Sequence, residues 1–222
     1  MPRTARASVG NMCYYVINRG NGRTEVFHKD QDYLRFTEML GEAVERIPMR
    51  VVSWCLMPNH FHLVLWPYGE GDLSAWMQWL MTAHVRRYHR HYQSTGHVWQ
   101  GRFKAFVMQE DHHYSSVLRY VESNALRANL VERAEDWKWS SLYALKRQDC
   151  FPFLVPGPVC RCPDWLTVVN AEQDQKAVEQ IQTSIHRERP LGDESWVKDI
   201  AKKLGLEYTI RPRGRPRKRA EK

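Results

Sequence analysis

Two apolar runs separated by only two residues constrain the fold of this 222-residue chain more than any other feature. The run MRVVSWCLM (49–57) is followed by Pro58 and Asn59 and then by HFHLVLW (60–66). Both runs are rich in β-branched and aromatic residues, which favour strands, and a two-residue connection is typical of an antiparallel hairpin. The chain therefore contains antiparallel sheet, and we place the second strand of this hairpin at a sheet edge.

The segments around the hairpin alternate between strand and helix patterns. Strands are predicted at 12–20 and 103–109, and apolar residues at spacings of three and four predict helices over 31–47 and 73–88. The order strand, helix, strand, strand, helix, strand is typical of ferredoxin-like domains. We predict the α+β class, with an antiparallel βαββαβ sheet, helices on one face and the other face open to a strand of nucleic acid.

The rest of the chain is predicted to be helical, with a Pro-rich interruption. Helices are expected over 113–126, 174–187 and 194–206, and FPFLVPGPVCRCPDW (151–165) indicates a connecting loop. These patterns divide the chain into a main domain over 1–150, a small C-terminal helical extension over 151–210, and a disordered basic tail over 211–222.

Most of the positive charge lies in the last twelve residues. The formal net charge is +8, and RPRGRPRKRAEK carries seven Lys or Arg against one Glu, which leaves +2 for the rest. The tail resembles an AT-hook, in which Arg213 and Arg215 contact the minor groove of A·T-rich duplex. The alternative is a disordered tail that binds any polyanion through counterion release. In both cases the partner is nucleic acid.

Cysteine usage and hydropathy bear on the compartment. The five cysteines are an odd number and lack the paired spacing of a zinc site. The sequence also shows no apolar leader and no window of about 18 apolar residues. We expect a soluble cytoplasmic protein with reduced thiols and no membrane partner.

His60 and His62 begin the third predicted strand one residue apart. Side chains alternate along a strand, so both imidazoles project from the same face and can reach one ion or one phosphate, while Phe61 points into a core. Taken alone, the pair is more typical of two half-buried histidines of a structural strand.

Tyr120 and Asn124 lie four residues apart on the helix predicted over 113–126. This spacing makes them neighbours on one helix face. Because Val117, Leu118 and Val121 surround it in sequence, Tyr120 also fits the role of a core aromatic.

Four motifs in a fixed order change the balance between these alternatives: INRGNGRTEVF, CLMPNHFHLVLWP, TGHVWQGRFKAF and RYVESNALRANLV. Together they resemble the REP-associated tyrosine transposases, a branch of the single-tyrosine HUH transposases related to the IS200 group, over residues 12–145. The resemblance implies the same βαββαβ fold. It also implies that His60 and His62 bind a divalent metal, Mg²⁺ or Mn²⁺, that Tyr120 is the nucleophile, and that Asn124 supplies a third ligand.

The chain departs from the family pattern at one position near this site. The family has NPVRA where this chain has NALRA, so Ala125 stands in place of a proline. Proline would help to end the helix, so its absence extends or loosens that turn without changing the ligand.

The chemistry explains why such residues are combined. A tyrosine phenol ionises near pH 10 and is a poor nucleophile at neutral pH unless charge is stabilised nearby. A cation held by imidazoles and an amide oxygen polarises a phosphate oxygen for in-line attack. The resemblance implies a metal-dependent single-stranded DNA endonuclease and strand transferase that forms a 5′-phosphotyrosine at hairpin DNA. No ATP is required, and the chain has no GxxxxGK[ST] motif.

Six further residues are candidate DNA contacts. The resemblance implies that Arg19, Asn21 and Arg23 contact a short single-stranded element beside the hairpin. Trp99, Arg102 and Lys104 offer a stacking surface and phosphate contacts, although the same segment fits an ordinary hairpin.

One alternative function remains at this level. A ferredoxin-like regulator could bind nucleic acid through the same basic residues without catalysis. The oligomeric state is open between a monomer and a homodimer, because the tyrosine helix could complete its own site or that of a neighbour.

Overall fold

The computed structural model describes residues 8–149 and 151–211. Its strands are β1 (Tyr14–Arg19), β2 (Met49–Met57), β3 (His60–Pro67) and β4 (Lys104–Val107). Its helices are α1 (Asp30–Arg46), α2 (Asp72–Tyr92), α3 (His112–Glu122), α4 (Asn124–Arg127), α5 (Ser141–Arg147), α6 (Trp165–Asn170), α7 (Gln175–Arg187), α8 (Glu194–Lys203) and α9 (Glu207–Ile210). None of the helices in these residues is long and apolar enough to cross a membrane.

The four strands form one antiparallel sheet in the order β2-β3-β1-β4. This order and the βαββαβ succession confirm the predicted α+β, ferredoxin-like class. The expected edge position of the histidine strand is wrong, since β3 pairs with β2 on one side and β1 on the other. Sequence periodicity reports which face a residue takes, but not which strand becomes its second neighbour.

Helices α1 and α2 cover the first face of the sheet. Phe61, Leu63 and Leu65 of β3 point into this layer and pack with Phe36 of α1 and Trp76 of α2. Each of these side chains is essentially fully buried, which stabilises the fold by roughly 2 kcal/mol per large apolar group. The apolar spacing of both helices faces the sheet as predicted.

The second face is not open, which corrects the prediction. Tyr15 and Val64 from the sheet pack with Val121 of α3, and Val169 of α6 and Ile181 of α7 complete the same layer. These last two helices come from the segment after residue 150, whose amphipathic faces needed a partner. The domain boundary at 150 stays a prediction, but the extension shares a hydrophobic layer with the sheet.

A buried carboxylate ties the extension to the tyrosine helix. Glu122, which is fully buried, accepts hydrogen bonds from Arg161 and from Trp165 Nε1, both at 2.6 Å, and from Ser53 Oγ at 3.1 Å. Three donors satisfy this buried charge, which would otherwise be strongly unfavourable. Because Glu122 lies two residues after Tyr120, the network holds that part of α3 against both β2 and the extension.

The predicted helix over 113–126 is present but interrupted. α3 ends at Glu122, and α4 restarts at Asn124 after Ser123, whose φ of −86° and ψ of 4° depart from helical values. The regular helix is therefore interrupted at one residue, Ser123, between Tyr120 and Asn124. The short helices α5 and α6 were not predicted, because six or seven residues show too little periodicity.

Candidate active site

The two histidines sit side by side where β3 begins. His60 lies opposite Arg19 and His62 lies opposite Ile17 of β1. Their ring centroids are 4.7 Å apart with planes at 79°. Both rings project from the second face, so the alternation of the strand brings them together as predicted.

Each imidazole is oriented by a hydrogen bond at Nδ1. His60 Nδ1 lies 2.6 Å from Asn59 Oδ1, and His62 Nδ1 lies 2.6 Å from the hydroxyl of Tyr15. The Asn59 oxygen can only accept, so His60 Nδ1 carries the proton and its Nε2 keeps a lone pair. Such outer partners are typical of metal-binding histidines, whose other nitrogen is the ligand.

His62 Nε2 is buried and has no hydrogen-bond partner among the described residues. An unpaired buried polar atom is unfavourable, and it is compensated when a cation or a phosphate group occupies the adjacent space. This orphaned nitrogen shows that the residues fit a bound cation.

Burial keeps both rings in the neutral form that a metal requires. Desolvation is the main cause that lowers the pKa of His60 to about 4, and Arg19 and Arg127 add to it. Desolvation is also the main cause that holds the pKa of His62 well below its usual value. The second cause is the repulsion that a protonated His60 would exert on a protonated His62, and the amide of Asn124 opposes part of the shift. Neutral imidazoles coordinate metals, and protonated ones do not.

Tyr120 reaches the same place from α3. Its ring centroid lies 6.0 Å from that of His62 and 6.4 Å from that of Tyr15. The Tyr120 side chain is 6% exposed and borders the cleft together with Asn124. The structure thus brings the four predicted residues together within one chain.

Arg127 also belongs to this site, although the sequence analysis did not select it. Its guanidinium carbon lies 3.8 Å from the centroid of the Tyr120 ring, a cation–π contact. Its spacings of seven from Tyr120 and three from Asn124 fit one helix face. That periodicity was the signal that could have found it.

A cleft of about 630 Å³ joins these groups. Arg19, Arg102 and Lys104, three of the predicted DNA contacts, line it. Gln182 and His186 of α7 form a further wall, which no local sequence pattern indicated. The cleft combines polar ligand groups, a phenol and several cations, and this combination suits a phosphodiester.

Comparison with known proteins then decides the family. The family model described as "Transposase IS200 like" matches residues 8–124, more than half of the chain. The chain belongs to the IS200-like transposase family. Its membership confirms the prediction of an enzyme that nicks and rejoins DNA.

Individual relatives agree with this assignment. A Haemophilus influenzae protein, named a putative REP-associated tyrosine transposase, is 24% identical over 133 residues, covering 54% of this chain and 75% of that protein. A solved structure of a REP-associated tyrosine transposase bound to a REP hairpin matches 78% of this chain and 99% of its own, with 18% identity and a TM-score of 0.53. This likeness confirms the fold.

A putative transposase from Deinococcus radiodurans matches less closely. It is 20% identical and covers 55% of this chain and 96% of its own, with a TM-score of 0.41, which is too low to establish a common fold. The resemblance to REP-associated tyrosine transposases is confirmed by the first relatives together with the family model.

Other predicted DNA contacts of the transposase lie outside the cleft lining. Asn21 and Arg23 are exposed on a short 3₁₀ turn, where Asn59 Nδ2 donates to the Arg23 carbonyl oxygen. The expectation for Trp99 is wrong, because its ring is 4% exposed and packs against Phe27 and Phe61 in the first-face core. A buried ring offers no platform to a base.

Two further groups of residues in the transposase are not part of the cleft described above. Arg213 and Arg215 of the basic tail lie outside the described residues, which end at Arg211. Asp111, His112 and His113 have ligand atoms within 4.8 Å of one another, but they start α3. This group lies seven or more residues before Tyr120, about 10 Å along the helix axis, and is separate from the cleft.

Proposed function

We propose that this transposase cuts single-stranded DNA beside a hairpin, with Tyr120 as the nucleophile. The observation that supports it most directly is the convergence of His60, His62 and Tyr120 on one cleft. The solved relative is described as bound to a REP hairpin, which supports the same substrate class for this chain. We place the activity in the cytoplasm, consistent with the free thiols of Cys13 and Cys55.

In the proposed reaction, the Tyr120 oxygen bonds to phosphorus and the bond from phosphorus to the 3′-oxygen breaks. The phenolic proton is lost to solvent and the leaving oxygen takes up a proton, giving a 5′-phosphotyrosine and a free 3′-OH. Because the phosphodiester energy is kept in the covalent link, a 3′-OH of another strand reverses the step and rejoins DNA. Arg19 and Arg127 attract and orient the phosphate.

The nitrogen and oxygen ligands we assign are His60 Nε2, His62 Nε2 and Asn124 Oδ1, for Mg²⁺ or Mn²⁺. When bound, the ion supplies Lewis-acid polarisation of a phosphate oxygen. Tyr15 and Asn59 hold the two imidazoles in the orientation that aims Nε2 at the cleft. All of these residues come from one chain, so the proposal does not require a second copy to complete the site.

The test is covalent capture of a hairpin oligonucleotide labelled at its 3′ end, in the presence of Mn²⁺. On a denaturing gel, the wild-type protein is expected to carry the label, and Tyr120→Phe is expected to carry none. Tyr143→Phe is the matched control, because Tyr143 also has an arginine over its ring, at 5.4 Å, outside the cleft. A chelator is expected to abolish the labelled band.

Labelling that persists in Tyr120→Phe would assign the nucleophile elsewhere. Binding without any covalent band in the wild-type protein would favour the non-catalytic regulator instead. Both results would reject the proposal in its present form.

A further inference from the structure

A second group of basic side chains lies on the outer side of α1 and α2, on the sheet face opposite the active-site cleft. It lines a recess of about 490 Å³ and consists of side chains that are all basic: Arg35, Arg86, Arg87, Arg90 and His91. We call it the α2 recess. Four of its five residues come from the last two turns of α2, where spacings of four place Arg86 with Arg90 and Arg87 with His91 on one side of the helix.

Three of these cations are available to a ligand. Arg86, Arg87 and Arg90 form no side-chain hydrogen bond or salt bridge within residues 8–149 and 151–211. Arg35 differs, because it bridges Glu38 at 3.0 Å and Glu42 at 2.6 Å. Arg86 and Arg90 are also exposed.

Stabilisation of the helix does not account for this arrangement. The helix dipole favours cations in the last turn, which explains Arg90 and His91 but not Arg86 and Arg87 one turn earlier. Like charges four residues apart destabilise a helix. The nearby carboxylate of Asp32 is already engaged, since it accepts a hydrogen bond from the Tyr92 hydroxyl at 2.6 Å.

The α2 recess and the cleft flank the same end of the sheet. The loop after Tyr92 leads to Lys104, which lines the cleft, and on the way Gln100 N donates to the Arg19 carbonyl oxygen at 2.8 Å. Lys29 Nζ lies 2.7 Å from His91 Nε2 and extends the basic surface beyond the recess. We infer that a hairpin bound at the cleft extends around this end of the sheet toward the recess.

We propose that the α2 recess binds the phosphate backbone of the duplex stem of the hairpin DNA. The inference rests on the proposed function and assigns a surface to the paired part of that substrate. The aromatic rings beside the recess pack on one another and on a neighbouring cation: the Tyr88 and Tyr92 centroids are 4.8 Å apart, and Lys29 Nζ lies 5.6 Å from the Tyr92 centroid. They do not present the free faces that unpaired bases stack on, whereas a duplex offers a dense row of phosphates.

The test compares two DNA ligands and two charge-matched variants of the full chain. One ligand is a hairpin with a single-stranded flank. The other is the same flank without the hairpin, so that it forms no duplex stem. The test variant is R86Q/R87Q/R90Q, and the control is K176Q/K202Q/K203Q, which removes three exposed lysines of α7 and α8. Fluorescence anisotropy in EDTA measures binding without cleavage, and circular dichroism checks that both variants fold.

For R86Q/R87Q/R90Q, we expect affinity for the hairpin to fall by about 10²-fold at about 0.1 M salt, and the slope of log K against log salt to shrink by about 2 to 3 units. Binding of the stemless flank is expected to stay within about two-fold, because it does not reach the recess. The lysine control is expected to bind both ligands like the wild type.

Three results would overturn the inference: an unchanged hairpin affinity, equal losses for hairpin and flank, or an equal loss in the lysine control. Covalent labelling tests the proposed function independently of binding to the stem. With a saturating concentration of the hairpin, R86Q/R87Q/R90Q is expected to be labelled through Tyr120 at the wild-type level. Absence of labelling in the wild type would reject the proposed chemistry and leave the stem-binding measurement intact.

Discussion

The two faces of the four-stranded sheet are both covered by helices, but they bury different kinds of side chain. The first face packs apolar residues such as Phe36, Phe61 and Trp76, with His84 as a buried imidazole among its aromatic rings. The second face buries His62 and Asn124 among its apolar residues. Consecutive residues of β3 therefore point into opposite layers. One layer stabilises the fold, and the other contains the candidate active site.

The largest expected effects come from substitutions at two neighbouring residues of β3, which point to different faces. Phe61→Ala is expected to lower the free energy of unfolding by about 3–5 kcal/mol, since it leaves a cavity in the first face. His62→Ala is expected to slow strand cleavage by about 10³-fold, because several kcal/mol of charge stabilisation is lost with a metal ligand. Urea unfolding and single-turnover cleavage rates measure the two effects.

The division between faces fails if His62→Ala loses as much stability as Phe61→Ala and still cleaves DNA at the wild-type rate. Phe61→Leu is the conservative control, since it keeps an apolar side chain in the first face and should retain most of the stability.

Arg127→Gln sharpens the comparison within the second face. We expect cleavage to slow by about 10²-fold, because a charged group beside the developing negative charge is removed. Stability should change little. Arg147→Gln is the matched control, since its guanidinium lies over Tyr143 away from the cleft. Equal cleavage rates for both variants would show that the stacking on Tyr120 has no role in the reaction.

Tyr15→Phe tests whether the outer hydrogen bond orients His62. Removal of a partner of a metal-ligating histidine typically lowers metal affinity or activity by 10 to 100-fold. We expect a loss of about this size in Mn²⁺ affinity, measured by calorimetry, and a parallel loss in cleavage that excess Mn²⁺ restores. Tyr14→Phe is the control, because Tyr14 faces the first layer and bonds to the backbone of Val9. Unchanged Mn²⁺ affinity in Tyr15→Phe would remove the orienting role.

The smallest expected effect is on the pH dependence of stability, and it comes from His84, which is buried in the first face. Burial lowers its pKa to about 3 from an ordinary 6.5. The unfolded chain therefore takes up a proton below about pH 6.5 while the folded chain does not, so stability falls as the pH drops from about 6.5 toward about 3. By linkage, the loss reaches about 2 kcal/mol at pH 5.

His84→Leu should remove this part of the acid sensitivity, as judged from urea unfolding at pH 7 and pH 5. The exposed His97 provides the control through His97→Leu, which should keep the wild-type difference between the two pH values. An identical pH dependence in all three proteins would contradict the assignment to His84.

Much of the candidate site was predictable because its signals are local. The alternation of β3 placed His60 and His62 on one face, and the spacing of Tyr120 and Asn124 survived the interruption at Ser123. Trp99 was assigned to the wrong environment, because the basic residues Arg102 and Lys104 that follow it made the segment look like an exposed DNA-contacting surface. Its partners Phe27 and Phe61 come from distant segments.

The sequence by itself determined the βαββαβ succession of β1 to β4, the hairpin at Pro58 and Asn59, and the face that each β3 side chain takes. These features follow from periods of 2 and 3.6 residues, which are written within short segments. Only the tertiary structure decided that β3 is an interior strand and that α7 walls the cleft. These depend on which distant apolar surfaces bury one another, a choice that no local periodicity records.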